Sequence, residues 1–350
     1  MPAHVTRPAI EHPDNWVTTD QICANIASHH PEHPRLGVVL RVLRNTGVQR
    51  RALAHPLDSD TVSGRTGLVD RNAKAWAAAC ALAETAAARA LEDAGLQPHD
   101  VDAVITSHST SWAVPQLDVH LINVLGLRPD VRRTAFTTLG CVGGATALSK
   151  AADHVAAHPG SHVLVVVAEA ISAIYHHADD TIEGMIYKAL FGDSAGACVV
   201  TGEPLQPGLR IDSTWEYVLP GSRDSSYWGR LDELGFHFDS TREAINGPGQ
   251  VMPHLRDWLK QHDALTPGFA LIHAGGPAIL NAVQAGLDLT DGQLAHSWAS
   301  LAAVGNLGGA SVLDVLRRTH DTPPADGDRG LMLAYGPGFA TTALTGTWLG

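Results

Sequence analysis

The chain has 350 residues, of which 45% are hydrophobic and 17% charged, and its formal net charge is −12 at pH 7. This length and composition predict a compact globule of two fused domains or one large α/β unit, and they exclude a mainly disordered protein. The acidic balance gives no positive field to attract a phosphate backbone or an anionic lipid, so binding to nucleic acid or to a membrane is not expected.

Apolar runs and cysteines narrow the class further. The sequence contains no apolar run of about 18 residues, and its N-terminus has no apolar signal core. The cysteines are far apart and form no C-x-x-C pair, unlike those of a zinc knuckle or a disulfide framework; they are Cys23, Cys80, Cys141 and Cys198. We therefore expect a cytoplasmic protein without a metal site.

Helices and strands alternate in the first part of the chain. Apolar residues at helical spacing predict a helix over 71–94, with Gly95 as its stop. Short β-rich runs predict strands over 101–106 and 134–139, and the second leads into an Ala-rich helix that ends near His158. A near-continuous apolar strand follows over 161–168. This alternation predicts right-handed crossovers and an α/β architecture.

A Pro-rich connection over 203–208 marks the predicted boundary between two halves, residues 1–203 and 204–350. In the second half, a polar loop over 321–329 precedes a predicted strand over 330–334. A tight Gly/Pro loop, 335–339, then leads into a closing β segment over 340–348.

The two halves contain similar sequence segments. Residues 140–148 read G-C-V-G-G-A-T-A-L and residues 305–313 read G-N-L-G-G-A-S-V-L, and a short apolar strand precedes each segment. The similarity predicts a duplicated topology. The alternative is that the pattern is only a convenient strand-to-helix turn, where small residues pack tightly on a sheet.

Cys141 is the strongest candidate for a nucleophile. It stands at a predicted strand-to-helix junction between Gly140 and Gly143, beside the first unpaired N–H groups of the next helix. Such a position lowers a thiol pKa, so we expect a thiolate. The other three cysteines have no such setting and are expected to be small buried hydrophobes.

His273 and Asn306 are the expected partners of Cys141. His273 ends the apolar run F-A-L-I-H and precedes two glycines, and Asn306 occupies the position in the second repeat that Cys141 has in the first. A Cys, a His and an Asn brought together supply a nucleophile, a proton carrier and an amide donor for acyl transfer. Asn306 could also serve as a helix N-cap. A thiolate and imidazolium pair is the expected resting state when Cys141 and His273 lie within hydrogen-bond reach of each other.

Several motifs in the same order resemble those of the type III polyketide synthases, the chalcone-synthase-like family. They are L-G-L-R-P at 125–129, L-F-G-D-S-A-G-A at 190–197, H-A-G-G-P-A-I-L at 273–280 and Y-G-P-G-F at 335–339. The resemblance implies the thiolase fold, with αβαβα layers and two pseudo-duplicated halves, and it implies a homodimer. It also implies that acyl-CoA and malonyl-CoA are substrates and that no cofactor is needed.

The same resemblance implies a role for each residue of the triad. Cys141 would accept an acyl-CoA starter, while His273 and Asn306 would bind the thioester carbonyl of malonyl-CoA and promote decarboxylative Claisen condensation. Cyclisation would then release an α-pyrone or a phenol.

Further residues match the family's pocket and entrance. Phe191 matches a gatekeeper phenylalanine, and Phe236 is expected to match the second. Arg41 and Arg44 fit the stretch that binds CoA phosphates, since arginine forms paired hydrogen bonds with phosphate, although a solvated helix face is the simpler interpretation.

The sequence also departs from the family. Ala274 replaces a proline after the histidine, and the sequence L-G-G, which includes Gly308, replaces M-S-S after the asparagine, so pocket volume is expected to change. Ser109 stands where naphthalene-forming bacterial members have a second cysteine, which argues against a malonyl-primed naphthalene product. Trp112 in the same stretch is expected to narrow the tunnel.

Two alternatives remain open. A ketoacyl synthase III-like acyltransferase would share the fold and the triad but make one condensation or one acyl transfer. A non-catalytic thiolase-fold partner protein would retain only the scaffold, and the presence of all three triad residues argues against it.

Overall fold

The computed structural model describes residues 2–223, 227–233 and 235–350. The strands are β1 (Ala3–Val5), β2 (Ala9–Glu11), β3 (Trp16–Thr18), β4 (Arg50–Ala52), β5 (Ala103–His108), β6 (Arg132–Thr137), β7 (His162–Glu169), β8 (Ser194–Thr201), β9 (Gly208–Val218), β10 (Tyr227–Asp232), β11 (Gly235–Ser240), β12 (Phe269–Ile272), β13 (Arg329–Gly336) and β14 (Ala340–Leu349). The helices are α1 (Thr19–His29), α2 (Leu36–Arg44), α3 (Asp60–Ser63), α4 (Leu68–Asp93), α5 (Leu117–Leu125), α6 (Gly143–Ala157), α7 (Ile182–Leu190), α8 (Gly247–Gln261), α9 (Pro277–Leu287), α10 (Ala295–Val304) and α11 (Ser311–Asp321).

One ten-stranded sheet organises the fold, in the order β12-β13-β14-β9-β1-β8-β7-β5-β6, with β2 also paired to β8. In the first half β5 is parallel to β7, which is antiparallel to β8; in the second half β12 is parallel to β13, which is antiparallel to β14. The short strand β1 pairs with both β8 and β9 and so joins the halves. The repeated pairing matches the duplicated topology predicted from the repeated segments.

The helices form layers on both sides of these strands. α4 packs outside β7 and β8, α6 and α11 contact strands of both halves, and α8 and α9 cover β12 and β13. Alternation along β13 reflects this arrangement, since Leu331 and Leu333 pack towards α8 and α9 while Met332 and Ala334 pack towards α6 and α11. The layer order is therefore α, β, α, β, α, as predicted.

The predicted elements are close to the observed ones. The helix predicted over 71–94 is α4, and Gly95 follows it in the left-handed region at φ +69°. The five strands predicted at 101–106, 134–139, 161–168, 330–334 and 340–348 are β5, β6, β7, β13 and β14, with their ends displaced by at most two residues. The predicted boundary at 203 and 204 falls in the connection between β8 and β9.

Among the described helices, none combines the length and the apolar character needed to cross a membrane.

Candidate active site

A cavity of about 480 Å³ is lined by residues of both halves and brings Cys141, His273 and Asn306 together. Its wall is mostly apolar and aromatic. The lining residues are Val42, Asn45, Thr46, Cys141, Glu183, Ile186, Tyr187, Leu190, Phe191, Tyr227, Phe238, Ser240, Thr241, Ala244, Ile245, His273, Gly275, Gly276, Pro277, Ala278, Ile279, Asn306, Tyr335, Gly336 and Pro337. The volume is typical of a small-molecule site.

Cys141 is held in a 3-10 turn, Gly140–Val142, that leads directly into α6. Gly140 has φ +59°, and a Cβ there would lie 2.9 Å from Cδ of Pro337, so a side chain cannot fit at this turn. The amide of Gly140 donates to Oγ of Ser109 at 2.9 Å. All four cysteines are free and buried, but among the described residues Cys141 is the cysteine that lines the cavity.

His273 follows β12, and its Nε2 lies 3.1 Å from Oδ1 of Asn306. The same Oδ1 accepts the amide of Gly308 at 2.9 Å, so the oxygen is correctly oriented and the histidine carries its proton on Nε2. Nδ2 of Asn306 donates to the carbonyl of Gly275 at 3.4 Å, and the side chain of Asn306 also lowers the pKa of Cys141. One amide thus bonds His273 and lowers the pKa of Cys141.

The backbone of Asn306 is fixed by a short β-bridge to Phe191. The amide of Asn306 donates to the carbonyl of Leu190 at 2.8 Å, and the amide of Gly192 donates to the carbonyl of Asn306 at 3.0 Å. The second repeat therefore supplies an amide from an extended segment. The residue at the N-cap of the following 3-10 turn, Gly308–Ala310, is Leu307, and Oδ1 of Asn306 accepts the first amide of that turn.

The pKa shifts of both groups oppose the expected thiolate and imidazolium pair. Burial raises the pKa of Cys141 to about 12, and the charge of nearby Glu169 raises it further, while the hydrogen bond from Asn306 lowers it. Burial also lowers the pKa of His273 to about 4. Desolvation of the charged forms outweighs the helix N-terminus, so both groups are neutral at neutral pH.

Glu169 was missed in the sequence analysis. It ends β7, is 1% exposed, and its Oε2 accepts the amide of Ser109 at 3.1 Å, while its Oε1 has no hydrogen-bond partner among the described residues. Burial raises its pKa to about 8. An acidic residue directly after the apolar run L-V-V-V-A was the available signal, since polar groups at the carboxyl ends of buried strands often belong to sites.

The two predicted gatekeepers differ in outcome. Phe191 lines the cavity, whereas Phe236 does not and Phe238 does. Both phenylalanines of β11 point to one face of the strand, and Phe238 is two residues nearer to Phe191, with ring centroids 5.5 Å apart. The phenylalanine of β11 in the cavity wall is therefore Phe238, two residues after the predicted Phe236.

Three other predicted pocket residues lie outside the lining. Ser109 is bonded to Gly140 behind Cys141, and a Cβ on Gly308 would lie 3.1 Å from Cδ1 of Ile171, on the Glu169 side. Trp112 is 68% exposed, and both polar atoms of its peptide are bonded to the side chain of Asn72. Trp112 therefore points to solvent and does not narrow the cavity of its own chain.

Arg41 and Arg44 lie on the exposed part of α2, and α2 supplies Val42 and the following Asn45 to the cavity rim. Nε of Arg44 is 3.5 Å from the carboxylate of Asp20. In the described part of the chain, no group of three or more His, Cys, Asp or Glu side chains is arranged to hold a metal ion.

Comparison with known proteins places this geometry in a family. The model for "Chalcone and stilbene synthases, N-terminal domain" matches residues 50–204, and the one for the C-terminal domain of the same family matches residues 210–346. The chain is 33% identical over 344 residues to phloroglucinol synthase of Pseudomonas fluorescens, covering 97% of this chain and 98% of that protein. It is 32% identical to 1,3,6,8-tetrahydroxynaphthalene synthase of Streptomyces griseus, covering 99% and 93%.

Solved structures agree with the sequence relatives. Germicidin synthase from Streptomyces coelicolor, described as a type III polyketide synthase, superposes with a TM-score of 0.94 at 35% identity and full coverage of both chains. 1,3,6,8-Tetrahydroxynaphthalene synthase from the same species gives 0.94 at 31% identity, covering 99% of each chain. These matches confirm the thiolase fold predicted from the sequence.

Proposed function

This chain belongs to the chalcone and stilbene synthase family and is a type III polyketide synthase, and we propose that Cys141, His273 and Asn306 carry out its reaction. Cys141 takes the acyl group of a CoA starter, and malonyl-CoA then extends it by decarboxylative condensation. The observation that carries this proposal is that Cys141, His273 and Asn306 line one cavity, where Nε2 of His273 lies 3.1 Å from Oδ1 of Asn306.

In the loading step, the Cys141 thiolate attacks the thioester carbonyl and coenzyme A leaves. The thiol first loses its proton, and neutral His273 is the residue of the triad that can accept it. Its Nε2 must present a lone pair for this step, so the ring must carry its proton on Nδ1, which has no hydrogen-bond partner among the described residues. The proton then passes to the leaving CoA sulfur.

In the extension step, His273 carries its proton on Nε2, the position that its hydrogen bond with Asn306 indicates. Nε2 and the Asn306 amide then donate to the thioester oxygen of malonyl-CoA while its C–C bond to the carboxylate breaks and carbon dioxide leaves. The enolate carbon attacks the Cys141 thioester, a C–C bond forms, and the sulfur leaves as thiolate. The extended chain stays on CoA until it is returned to Cys141 or cyclised to an α-pyrone or phenol.

This scheme needs no cofactor, because loss of carbon dioxide generates the carbon nucleophile. Arg41 and Arg44 extend from α2 beside the rim residue Val42 and are proposed to bind the CoA phosphates through paired hydrogen bonds. The free thiols of all four cysteines suit a reducing compartment such as the cytoplasm.

We propose a homodimer in which the second copy packs against the edge of the sheet formed by β6. β6 is the last strand in the sheet order, and most of its residues are exposed. Trp112 and Val114 follow β5, the strand that pairs with β6, and they are 68% and 75% exposed. A second copy would cover this edge and these apolar side chains. Size-exclusion chromatography with light scattering, with Trp112→Asp as the variant, should show a loss of dimer.

Mass spectrometry tests the catalytic proposal. The protein is incubated with malonyl-CoA and a panel of acyl-CoA starters, and both the small products and the intact protein are weighed. The wild type should give malonyl-extended products and an acyl adduct, and Cys141→Ala should give neither. Cys80→Ala is the matched control, since Cys80 is a buried cysteine of α4 outside the cavity.

The product masses also decide between the alternatives. More than one malonyl-derived unit in a product identifies repeated extension. One unit, or an adduct without extension, would support the ketoacyl synthase III-like alternative, and no adduct with any thioester would support a non-catalytic protein.

A further inference from the structure

Two separate elements build the aromatic wall of the cavity. Tyr187 and Phe191 come from α7 and its end, and Phe238 comes from the β10–β11 hairpin. The ring centroids of Tyr187 and Phe238 are 5.0 Å apart, and those of Phe191 and Phe238 are 5.5 Å apart. Tyr227, on the other strand of the hairpin, stacks on Phe238 at 6.0 Å. The width of the cavity therefore depends on how the hairpin sits against α7.

The hairpin is not part of the main sheet. Among the described strands, β10 and β11 pair only with each other and form a two-stranded sheet of their own. An isolated hairpin has little stability by itself, so contacts with other elements must hold it in place. Phe238 packs on α7, and the hydroxyl of Tyr187 bonds the hydroxyl of Ser240 within the cavity.

A second polar link joins the β10–β11 hairpin to the segment before α7, outside the cavity lining. His237 is 5% exposed, and its Nε2 is 2.8 Å from Oδ1 of Asp232 on the opposite strand. Its Nδ1 is 3.4 Å from Nε2 of His176, which is fully buried in the segment before α7. The two imidazoles meet edge to face, with centroids 4.7 Å apart. Asp232, His237 and His176 thus connect both strands of the hairpin to the segment that leads into α7.

Proton positions along this link follow from the partners. The carboxylate of Asp232 only accepts, so His237 carries its proton on Nε2 and presents a lone pair at Nδ1. Nε2 of His176 must then donate to that lone pair. Burial lowers the pKa of His176 to about 3, so this ring is neutral at neutral pH and the assignment holds there.

We propose that His237 is a positioning residue for acyl-chain selection: through His176 and Asp232 it holds Phe238 against Phe191, and so limits the length of acyl starter that the cavity accepts. The inference rests on the proposed function of the cavity. His237 does not line the cavity, because successive side chains of β11 point to opposite faces and Phe238 is the one in the wall. Loosening the link lets the hairpin move outward and admits a longer chain.

The test compares butanoyl-CoA with octanoyl-CoA as starters in the wild type, His237→Phe, His176→Phe and the double variant. Phenylalanine keeps the ring volume and removes both nitrogens. Since one methylene in an apolar pocket is worth about tenfold or more in kcat/KM, each single variant should raise the octanoyl-to-butanoyl ratio about tenfold. The double variant should match His237→Phe, because that substitution already breaks the bond that His176→Phe removes.

Controls separate this role from a general loss of stability. His254→Phe, at an exposed position on α8, should leave the ratio unchanged. Tyr187→Phe removes the other polar link while keeping the ring, and it should shift the ratio in the same direction even if the histidine variants fail to fold. An unchanged ratio in folded His237→Phe and Tyr187→Phe, or additive effects in the double variant, would overturn the proposal.

A second readout does not depend on polyketide synthesis. Alkylation of Cys141 by iodoacetamide and by N-octyl iodoacetamide, followed on the intact protein, reports which chain lengths reach the sulfur, with Cys141→Ala as the blank. Faster octyl labelling in His237→Phe supports the proposal even if the wild type extends no starter, in which case only the proposed function fails. Extended products together with unchanged octyl labelling would reject the positioning role alone.

Discussion

The turns at Cys141 and at Asn306 share a sequence pattern but differ in geometry. α6 begins at Gly143, directly after the 3-10 turn that contains Cys141, whereas Asn306 precedes its 3-10 turn and α11 begins at Ser311. The bridge between Asn306 and Phe191 draws the second segment into an extended conformation. One repeat therefore presents its side chain from a helix start and the other from the end of a strand-like segment, so a duplicated pattern supplies two different chemical groups.

The largest expected effect on stability comes from a substitution that forces apart the two turns at Gly144 and Gly309, where they are in contact. A Cβ on Gly144 would lie 2.2 Å from the carbonyl oxygen of Gly309 and 2.9 Å from Cγ2 of Val312. Backbone cannot yield there as a flexible side chain does, so Gly144→Ala should lower the free energy of unfolding by at least about 3 kcal/mol. Urea denaturation measures this loss.

Gly249→Ala is the matched control for that substitution. Gly249 lies in α8 and is exposed, and a Cβ added to it would have no atom of the described residues within 4 Å. Alanine should leave the free energy of unfolding unchanged or raise it by about 0.5 to 1 kcal/mol. Equal losses in the two variants would show that the contact between the turns contributes nothing special.

Asn306→Asp tests what the second turn contributes to the chemistry. The aspartate keeps an oxygen for the amide of Gly308 but has no N–H to donate to an enolate oxygen. Malonyl-CoA decarboxylation should fall about 100-fold, as expected when a donor to a developing oxyanion is lost. Acyl loading on Cys141, measured by intact mass, should fall much less. A parallel fall of both steps would contradict the separate roles of the two turns.

The layers and the triad follow from the sequence because they depend on periodicity and on short motifs. Alternation along the strands and the repeated Gly-rich turns are local patterns, and they predicted both β13 and the residues Cys141, His273 and Asn306. The choice of Phe238 over Phe236 depends on where β11 lies against α7, which is a contact distant in sequence. The pKa of Cys141 depends on burial from all sides, so a motif that describes one helix start cannot give it.

The pH dependence of the alkylation rate of Cys141 tests whether burial or the helix N-terminus controls the pKa of its thiol. With its pKa raised to about 12, the thiol should react with iodoacetamide more slowly than a free cysteine at pH 7, and the rate should still be rising at pH 10. Glu169→Gln removes one of the causes that raise the pKa, so it should increase the rate. A plateau below pH 8 would mean that the helix start does dominate.

Glu169 should also leave a signature in stability. Its folded pKa of about 8 lies above the ordinary value of 4.5, so between these values the folded protein binds more protons than the unfolded chain. The free energy of unfolding should therefore fall as pH rises from about 5 to 8, and this slope should be weaker in Glu169→Gln. Denaturant titrations at several pH values measure the difference.

The smallest expected effect comes from removing the hydroxyl groups of Ser311 and Thr146, which occupy equivalent positions in the two repeats. Ser311 accepts the amide of Ala274 at 2.9 Å, beside His273, whereas Thr146 bonds the hydroxyl of Thr342 at 2.8 Å. The first bond needs an N–H after the histidine, which Ala274 has and the usual proline of the family lacks.

Each alanine substitution, Ser311→Ala or Thr146→Ala, should lower the free energy of unfolding by about 1 kcal/mol. Only Ser311→Ala should also lower kcat, by a few-fold at unchanged KM, because the freed segment lets His273 shift from Asn306. If Thr146→Ala reduced kcat as much, the two repeats would be equivalent at this position.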